Sequence, residues 1–299
     1  MRGRVIRVSG LQCLVETGDQ QLTCDLRGRI KAGARRTTSP VVVGDWVEVQ
    51  PTAPGAGVVA EIGPRRSRFS RLASGPRSYE QVVAVNLDQL VVVVAIRNPA
   101  VKVGFIDRAL VMALKGGLAA AVCINKVDLD PADEAGPIAE VYRNLGHTVC
   151  LTSARTGLGV EEFEAVLQDR DSVVVGHSGV GKSSLLNRLD PDLAIKTRDL
   201  MTSHDRGRHT TAAVQLYPLR AGRGHVADTP GIKELQLWQV GKSSLVEYFA
   251  EMAPLVDGCR FRDCVHLSEP GCAVRDAVDR GEIASIRYEA YQRIIESLD

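Results

Sequence analysis

VVVGHSGVGKSSLLNRLD, Val173 to Asp190, is the stretch on which the fold turns. A β-branched run ends at Gly176, and Gly176-His177-Ser178-Gly179-Val180-Gly181-Lys182-Ser183 satisfies G-x-x-x-x-G-K-[ST] just before an apolar-periodic segment opens. Strand, glycine-rich turn and helix in that order aim backbone N–H groups at one point near a helix N-terminus, where they cradle phosphate oxygens. Lys182 would then reach the β- and γ-phosphates and Ser183 would offer its hydroxyl to Mg²⁺, with Gly176 through Ser184 forming the phosphate subsite. A second VGKSS, Val240–Ser244, lacks this context: Gln236 stands where the first glycine belongs and no strand precedes it. That copy reads as one face of a helix.

Working outward, Asn125-Lys126-Val127-Asp128 follows AAAVCI, at the end of a second strand. An aspartate there can accept hydrogen bonds from N1–H and the 2-amino group of guanine, which adenine does not offer, while Asn125 and Lys126 brace the pocket. Asp128 therefore disfavours an ATPase. Downstream, Ser153-Ala154 in TSARTG suits the guanine O6. In HVADTPGIKE, Asp228 suits water-mediated contact with Mg²⁺ and the Gly231 N–H suits the γ-phosphate. Between the phosphate loop and Asp228 runs a polar, basic, aperiodic segment with the character of a nucleotide switch; Thr210 or Thr211 would supply the second hydroxyl on the metal. The order is guanine motif, phosphate loop, switches, a circular permutation of the usual GTPase. Ligands of an open α/β sheet bind at the C-terminal ends of its strands, so such a site survives when the chain is cut elsewhere. Ile232 occupies the place that often holds a water-orienting glutamine, and His209 is the candidate to replace it.

Strand and helix patterns alternate from about residue 69 to 234, the mark of a doubly wound α/β domain. Residues 1–68 instead show short alternating runs (RVIRV, CLVET, QLTCDL, VVVGDWVEV, GVVAEI) between turns, which predicts a small barrel, OB-fold or SH3-like. Gly63–Gln81, basic and turn-rich, reads as a linker. Residues 235–299 open with LWQVGKSSLVEYFAEMAPL at helical spacing and close on EIASIRYEAYQRIIESL, an amphipathic helix. Between these two segments lie Cys259, Cys264, His266 and Cys272 in the pattern C-x4-C-x-H-x5-C. With all four positions filled by protein ligands and none left for water, the pattern points to a closed structural zinc site. Its spacing matches no usual DNA-reading finger, so no DNA partner is inferred. Cys13, Cys24, Cys123 and Cys150 sit in apolar strand contexts and read as core residues.

The net charge of +1 conceals an asymmetry. Residues 1–71 carry 12 Lys and Arg against 6 Asp and Glu, and residues 235–299 carry 7 against 11. An N-terminal excess of cations suits a polyanion, or simply a solvated basic surface. The longest apolar run, Leu90–Ile96, is too short to span a bilayer, and the N-terminus lacks a signal-like apolar stretch, so the expected location is the cytosol, with no membrane partner.

Small basic barrel, Asn-Lys-x-Asp ahead of the phosphate loop, Asp-Thr-Pro-Gly followed by Ile, and the C-x4-C-x-H-x5-C knot together resemble the bacterial ribosome small subunit-dependent GTPase A family along the whole chain. The resemblance implies a GTP/GDP, Mg²⁺ and Zn²⁺ protein that binds the small ribosomal subunit late in its maturation and is stimulated by it. It also implies an OB-fold and a zinc domain that contact rRNA. That family's switch reads Gly-Arg-His-Thr-Thr-Thr; here it is GRHTTA, so His209, Thr210 and Thr211 carry over and Ala212 departs. His177, often Gln in relatives, is expected to matter little, and a monomer is the default state. The competing reading is a permuted GTPase that regulates a non-ribosomal protein partner. In the ribosomal reading, the second switch runs through Ile232–Leu237 straight into the zinc region, whose pose on RNA GTP would set.

Overall fold

The computed structural model describes residues 1–18, 20–28, 30, 40–73, 79–193, 195, 214–220, 224–229 and 235–298. The N-terminal alternation becomes β1 (Arg2–Ser9), β2 (Gln12–Thr17), β3 (Gln20–Leu26), β4 (Trp46–Ala53) and β5 (Ala56–Ile62). They run in the order β1-β2-β3-β5-β4, and β4 returns to pair with β1, Gly3 lying opposite Val47. The β3–β5 pairing is parallel, a crossover that an up-and-down meander does not make, and the closed result is an OB-fold barrel. Every second residue points inward: Val5, Val15, Leu22, Val47, Val49 and Val59 fill the barrel with Cys13 and Cys24, which face each other across the β2–β3 ladder. Burial pushes the Cys13 thiol up to about 12, as befits a core residue rather than a nucleophile.

The tract Gly63–Gln81 is more than a linker. It contains β6 (Arg68–Leu72), which pairs antiparallel with β7 (Glu80–Val85) and buries Phe69 completely. Its basic residues hid a period-2 pattern, and those residues are themselves engaged. Arg65 clasps both oxygens of the buried Asp45 at 2.7 Å, and Arg66 pairs with Asp88 at 2.7 Å. Arg4, also counted in the N-terminal excess, is buried against Asp171 at 2.7 Å. Part of that positive charge therefore docks the barrel onto its neighbour instead of facing a partner.

The central sheet holds β8 (Gln89–Ala95), β9 (Ala119–Asn125), β10 (Thr148–Thr152), β11 (Arg170–Val175), β12 (Gln215–Pro218) and β13 (Gly224–Asp228) in the order β10-β9-β8-β11-β13-β12. All neighbours are parallel except β12 with β13, and β12 meets β1 at Arg7 opposite Gln215. Every residue of β8 is buried, because both faces are covered. Leu90, Val92 and Val94 pack toward α1 (Val103–Lys115) and α2 (Ala135–Asn144). Val91, Val93 and Ala95 pack toward α3 (Val160–Leu167) and α4 (Lys182–Leu189). Among the described residues no helix is long and apolar enough to cross a membrane.

The C-terminal region shares the core of the α1 face. α6 (Ser285–Glu296) buries Arg287, Ala290, Tyr291, Ile294 and Ile295 at helical spacing, and Tyr291, Ile294 and Ile295 join the hydrophobic cluster of Ile106 and Leu110 of α1. Arg287 is buried with Asp107 of α1, to which it donates, and with Glu251 at 2.6 Å; Tyr142 of α2 donates to Asp107 at 2.9 Å. Ahead of α5 (Ala273–Asp279), the helical spacing of LWQVGKSSLVEYFAEMAPL produces no α-helix. It yields two 3-10 turns, Leu245–Tyr248 and Ala253–Gly258, the second with Pro254 at its second position, while Leu245, Phe249 and Met252 still reach the core. The second VGKSS lies in a turn in which Ser244 Oγ accepts from the Gly241 N–H at 3.2 Å, so it is not a helix face. Of the connection expected to carry a nucleotide signal, Leu235 and Leu237 are buried and the Gln236 carbonyl accepts from the Leu72 N–H at 3.0 Å; Ile232 lies outside the described residues.

Candidate functional site

Strand β11 ends at Val175 and α4 begins at Lys182, leaving Gly176–Gly181 as the loop. Two of its glycines have no substitute. A Cβ on Gly176 would lie 2.2 Å from the Val93 carbonyl oxygen, and Gly181, at φ +97°, would put one 2.3 Å from Asn125 Nδ2. Ser178 and Gly179 are exposed at the loop crest, Val180 is buried beneath it, and Ser183 and Ser184 occupy the first turn of α4. Lys182, buried at the start of α4, folds back to donate to the carbonyls of Gly176 at 2.7 Å and His177 at 3.2 Å. Burial holds its ammonium below the usual lysine range, with Asp228 opposing. Asp228 ends β13, paired in register with Val174 of β11. Burial raises its carboxyl to about 6 despite Lys182, and its Oδ1 is buried without a hydrogen-bond partner. An orphaned carboxylate oxygen beside a lysine and a serine-bearing helix start fits a Mg²⁺–phosphate group, whose cation would satisfy Asp228 while its phosphates take the Lys182 ammonium.

His177 is half-buried against α1. Its ring lies 4.2 Å from that of Phe105 on α1, tilted by 39°. Burial, then Lys102 and Lys182, keep its imidazole below the usual histidine range, hence neutral at pH 7.

The guanine motif, made earlier in the chain, reaches the same place because β9 and β10 lie on the other side of β8 from β11. Asn125, buried at the end of β9, donates from Nδ2 to the Val180 carbonyl at 2.8 Å and accepts the Ala154 N–H at 3.2 Å, tying the two motifs together. Lys126, at φ +64°, donates to Gly179 O at 2.6 Å and also to Asn98 O. Asp128 sits in a 3-10 turn, Val127–Leu129. Its Oδ1 accepts from Ser153 Oγ at 2.6 Å and its Oδ2 meets Arg155 Nη2 at 2.7 Å. The Ser153 hydroxyl foremost, with Arg155 adding, holds this carboxyl below the usual aspartate range. The structure thus gathers Asn125, Lys126, Asp128, Ser153, Ala154, Gly176–Ser184 and Asp228 at one end of one sheet. His209, Thr210, Thr211 and Gly231 lie outside the described residues. Arg155 went unremarked in the sequence although it follows Ser153-Ala154 directly.

The second cluster joins Cys259, Cys264, His266 and Cys272, whose ligand atoms all lie within 4.8 Å of one another. His266 Nδ1 is 3.3 Å from Cys272 Sγ and 3.6 Å from Cys259 Sγ. Sulfurs about 2.3 Å from a tetrahedral Zn²⁺ stand a little under 4 Å apart, so the set fits that ion with Nδ1 as the nitrogen ligand. His266 takes φ +63°, and the turn is held by Glu269, whose carboxylate accepts from Val265 and Leu267 N–H at 2.8 Å and Ser268 N–H at 3.0 Å. Burial opposes that charge, yet these backbone N–H groups keep the carboxyl below the usual glutamate range. From α6, Tyr288 donates to His266 O at 2.6 Å and Tyr291 to Val265 O at 3.1 Å. Glu269 was missed in the sequence because a lone acid in a turn carries no signal of what it will cap.

A parallel sheet whose phosphate loop follows its guanine motif in the chain, between a closed barrel and a Cys3His knot, defines a circularly permuted P-loop GTPase. Comparison with known proteins agrees. Residues 62–238 match the family model described as RsgA GTPase. The chain is 39% identical over 291 residues to a Moorella thermoacetica protein named small ribosomal subunit biogenesis GTPase RsgA, covering 97% of this chain and 95% of that one. Among solved structures it resembles YjeQ from Thermotoga maritima (TM-score 0.79, 33% identity, 99% of this chain and 98% of that chain). It also resembles YloQ, described as a circularly permuted GTPase (TM-score 0.71, 30% identity, 99% and 94%). The chain belongs to the RsgA GTPase family, and it is a hydrolase acting on GTP.

Proposed function

We propose that this protein binds the small (30S) ribosomal subunit in the cytoplasm late in subunit maturation, as a single chain, and that the subunit stimulates its hydrolysis of GTP to GDP and phosphate. What carries the reading is full-length similarity to proteins named for small ribosomal subunit biogenesis, together with an intact set of nucleotide residues. In this account residues 1–68 and 235–299 flank a GTPase unit of residues 69–234 and contact rRNA. Asp128, Asn125, Lys126, Ser153 and Ala154 take the guanine; Gly176–Ser184 and Gly231 take the phosphates. Ser183 and Thr210 or Thr211 ligate Mg²⁺, with Asp228 behind them. His209 orients the attacking water, the role Ile232 cannot fill. Cys259, Cys264, His266 and Cys272 hold zinc, which supplies structure and no chemistry. GTP turnover is measured alone and with purified small subunits, with Lys182→Ala as the blank. Stimulation by the subunit and its loss in His209→Ala are the expected results. Turnover indifferent to subunits would overturn the ribosomal reading and leave the GTPase standing.

A further inference from the structure

The carboxylate assigned to guanine is engaged by side chains of the protein itself. Both oxygens of Asp128 are engaged: Ser153 Oγ holds Oδ1 at 2.6 Å and Arg155 Nη2 holds Oδ2 at 2.7 Å. The chemistry of the second partner is telling. Guanine presents to an aspartate the fragment N1–H, C2 and the 2-amino group, which is a guanidine, and the arginine head is a guanidinium with the same planar edge of N–H donors. Through Nη2, Arg155 therefore gives Asp128 Oδ2 one donor of the kind that the base would bring.

The surroundings separate a movable arginine from a fixed carboxylate. The Asp128 side chain is 12% exposed and that of Arg155 73%, so the arginine lies over the carboxylate from the solvent side and can leave without opening the core. Its backbone cannot follow. Ala154 N–H is held by Asn125 Oδ1 at 3.2 Å, Thr156 N–H by Ser153 Oγ at 3.1 Å, and Gly157 N–H by Ser153 O at 2.8 Å. The side chain, by contrast, is tied at one point, its pair with Asp128.

We propose that Arg155 is a built-in competitor for guanine, which holds Asp128 in the nucleotide-free protein and must swing aside for the base to enter. The inference rests on Asp128 being the guanine acceptor. An exposed ion pair of this kind is about two to five times more often closed than open, so only about a third to a sixth of the protein accepts the base and capture is slowed about three- to sixfold. The device makes base capture salt-dependent even for an uncharged ligand, since salt screens the pair. It also keeps an acidic pocket neutralised between turnovers.

The test is stopped-flow binding of N-methylanthraniloyl-guanosine, a fluorescent nucleoside without phosphates, so that long-range attraction to Arg155 does not enter. Arg155→Ala is expected to raise the association rate constant about three- to sixfold at low salt, and the gap to wild type is expected to close at about 0.5 M salt. An association rate that is unchanged or slower would overturn the proposal. So would an effect confined to the dissociation rate, which would give Arg155 a role on the bound base alone. The adenosine analogue separates the two claims. If wild-type protein bound it as well as the guanosine probe, the reading of Asp128 itself would fail; guanine preference with no gain in Arg155→Ala would sink only the competitor.

Discussion

Asp228→Asn, made in the protein free of nucleotide and metal, should stabilise it. Asp228 is held where its charge is unwelcome: burial lifts its carboxyl from the ordinary 3.8 to about 6, and Oδ1 has no partner. A carboxyl whose folded pKa exceeds its unfolded one binds its proton more tightly in the native state. The stability this lends is complete below the unfolded pKa and is lost as pH rises through about 6. At pH 7.5 the ionised aspartate thus costs about 3 kcal/mol, taking 1.36 kcal/mol per pKa unit over roughly two units; at pH 5, where it is mostly protonated in the fold, the cost is about half that. Asparagine keeps the shape and removes the charge. Urea unfolding at the two pH values is the assay, with the variant more stable by up to about 3 kcal/mol at pH 7.5 and by about half that at pH 5. Saturating Mg²⁺ and GDP should reverse the order, because the cation rewards the charge that burial penalises. A variant no more stable than wild type at pH 7.5, or a gap that does not narrow at pH 5, would refute the argument.

Gly181→Ala combines a left-handed φ of +97° with a Cβ 2.3 Å from Asn125 Nδ2, so one methyl disturbs both the phosphate loop and the guanine motif; GDP affinity by calorimetry should fall at least about tenfold while the fold persists. Arg287→Met leaves Asp107 buried without its cation and should cost about 3–5 kcal/mol in urea unfolding, part of which returns when Asp107→Asn is added. Cys264→Ser should lower bound zinc, measured by plasma emission, from about one ion per chain to a small fraction, and should loosen the 259–272 turn to protease.

Elements whose own side chains declare their surroundings could be read from the sequence. β8 is a run of apolar residues because both faces of the sheet are covered, and Gly176 and Gly181 are glycines because Val93 O and Asn125 Nδ2 leave no room for more. The permuted order was legible for the same reason: each nucleotide motif is a short local pattern tied to a strand end. What stayed hidden depends on partners distant in the chain. β6 reads as a basic turn region until Phe69 is seen beneath its neighbours, and Arg65 and Arg66 look like free cations until Asp45 and Asp88 are found against them. Residues 237–252 keep helical spacing without a helix, since Gly241 and Pro254 break the backbone and the apolar residues are drawn individually into the α1 core. Likewise, nothing in the sequence says that the ring beside His177 is Phe105.

The central claim is that two motifs in inverted chain order form one guanine-nucleotide site. Calorimetric titration of wild type and Asp128→Asn with GDP and with ADP tests it most directly. The account predicts GDP preferred over ADP by at least about a hundredfold in wild type, and most of that preference lost in the variant as the acceptor for N1–H and the 2-amino group disappears. Equal affinity of wild type for the two nucleotides, or an Asp128→Asn variant that discriminates as well as its parent, would contradict it.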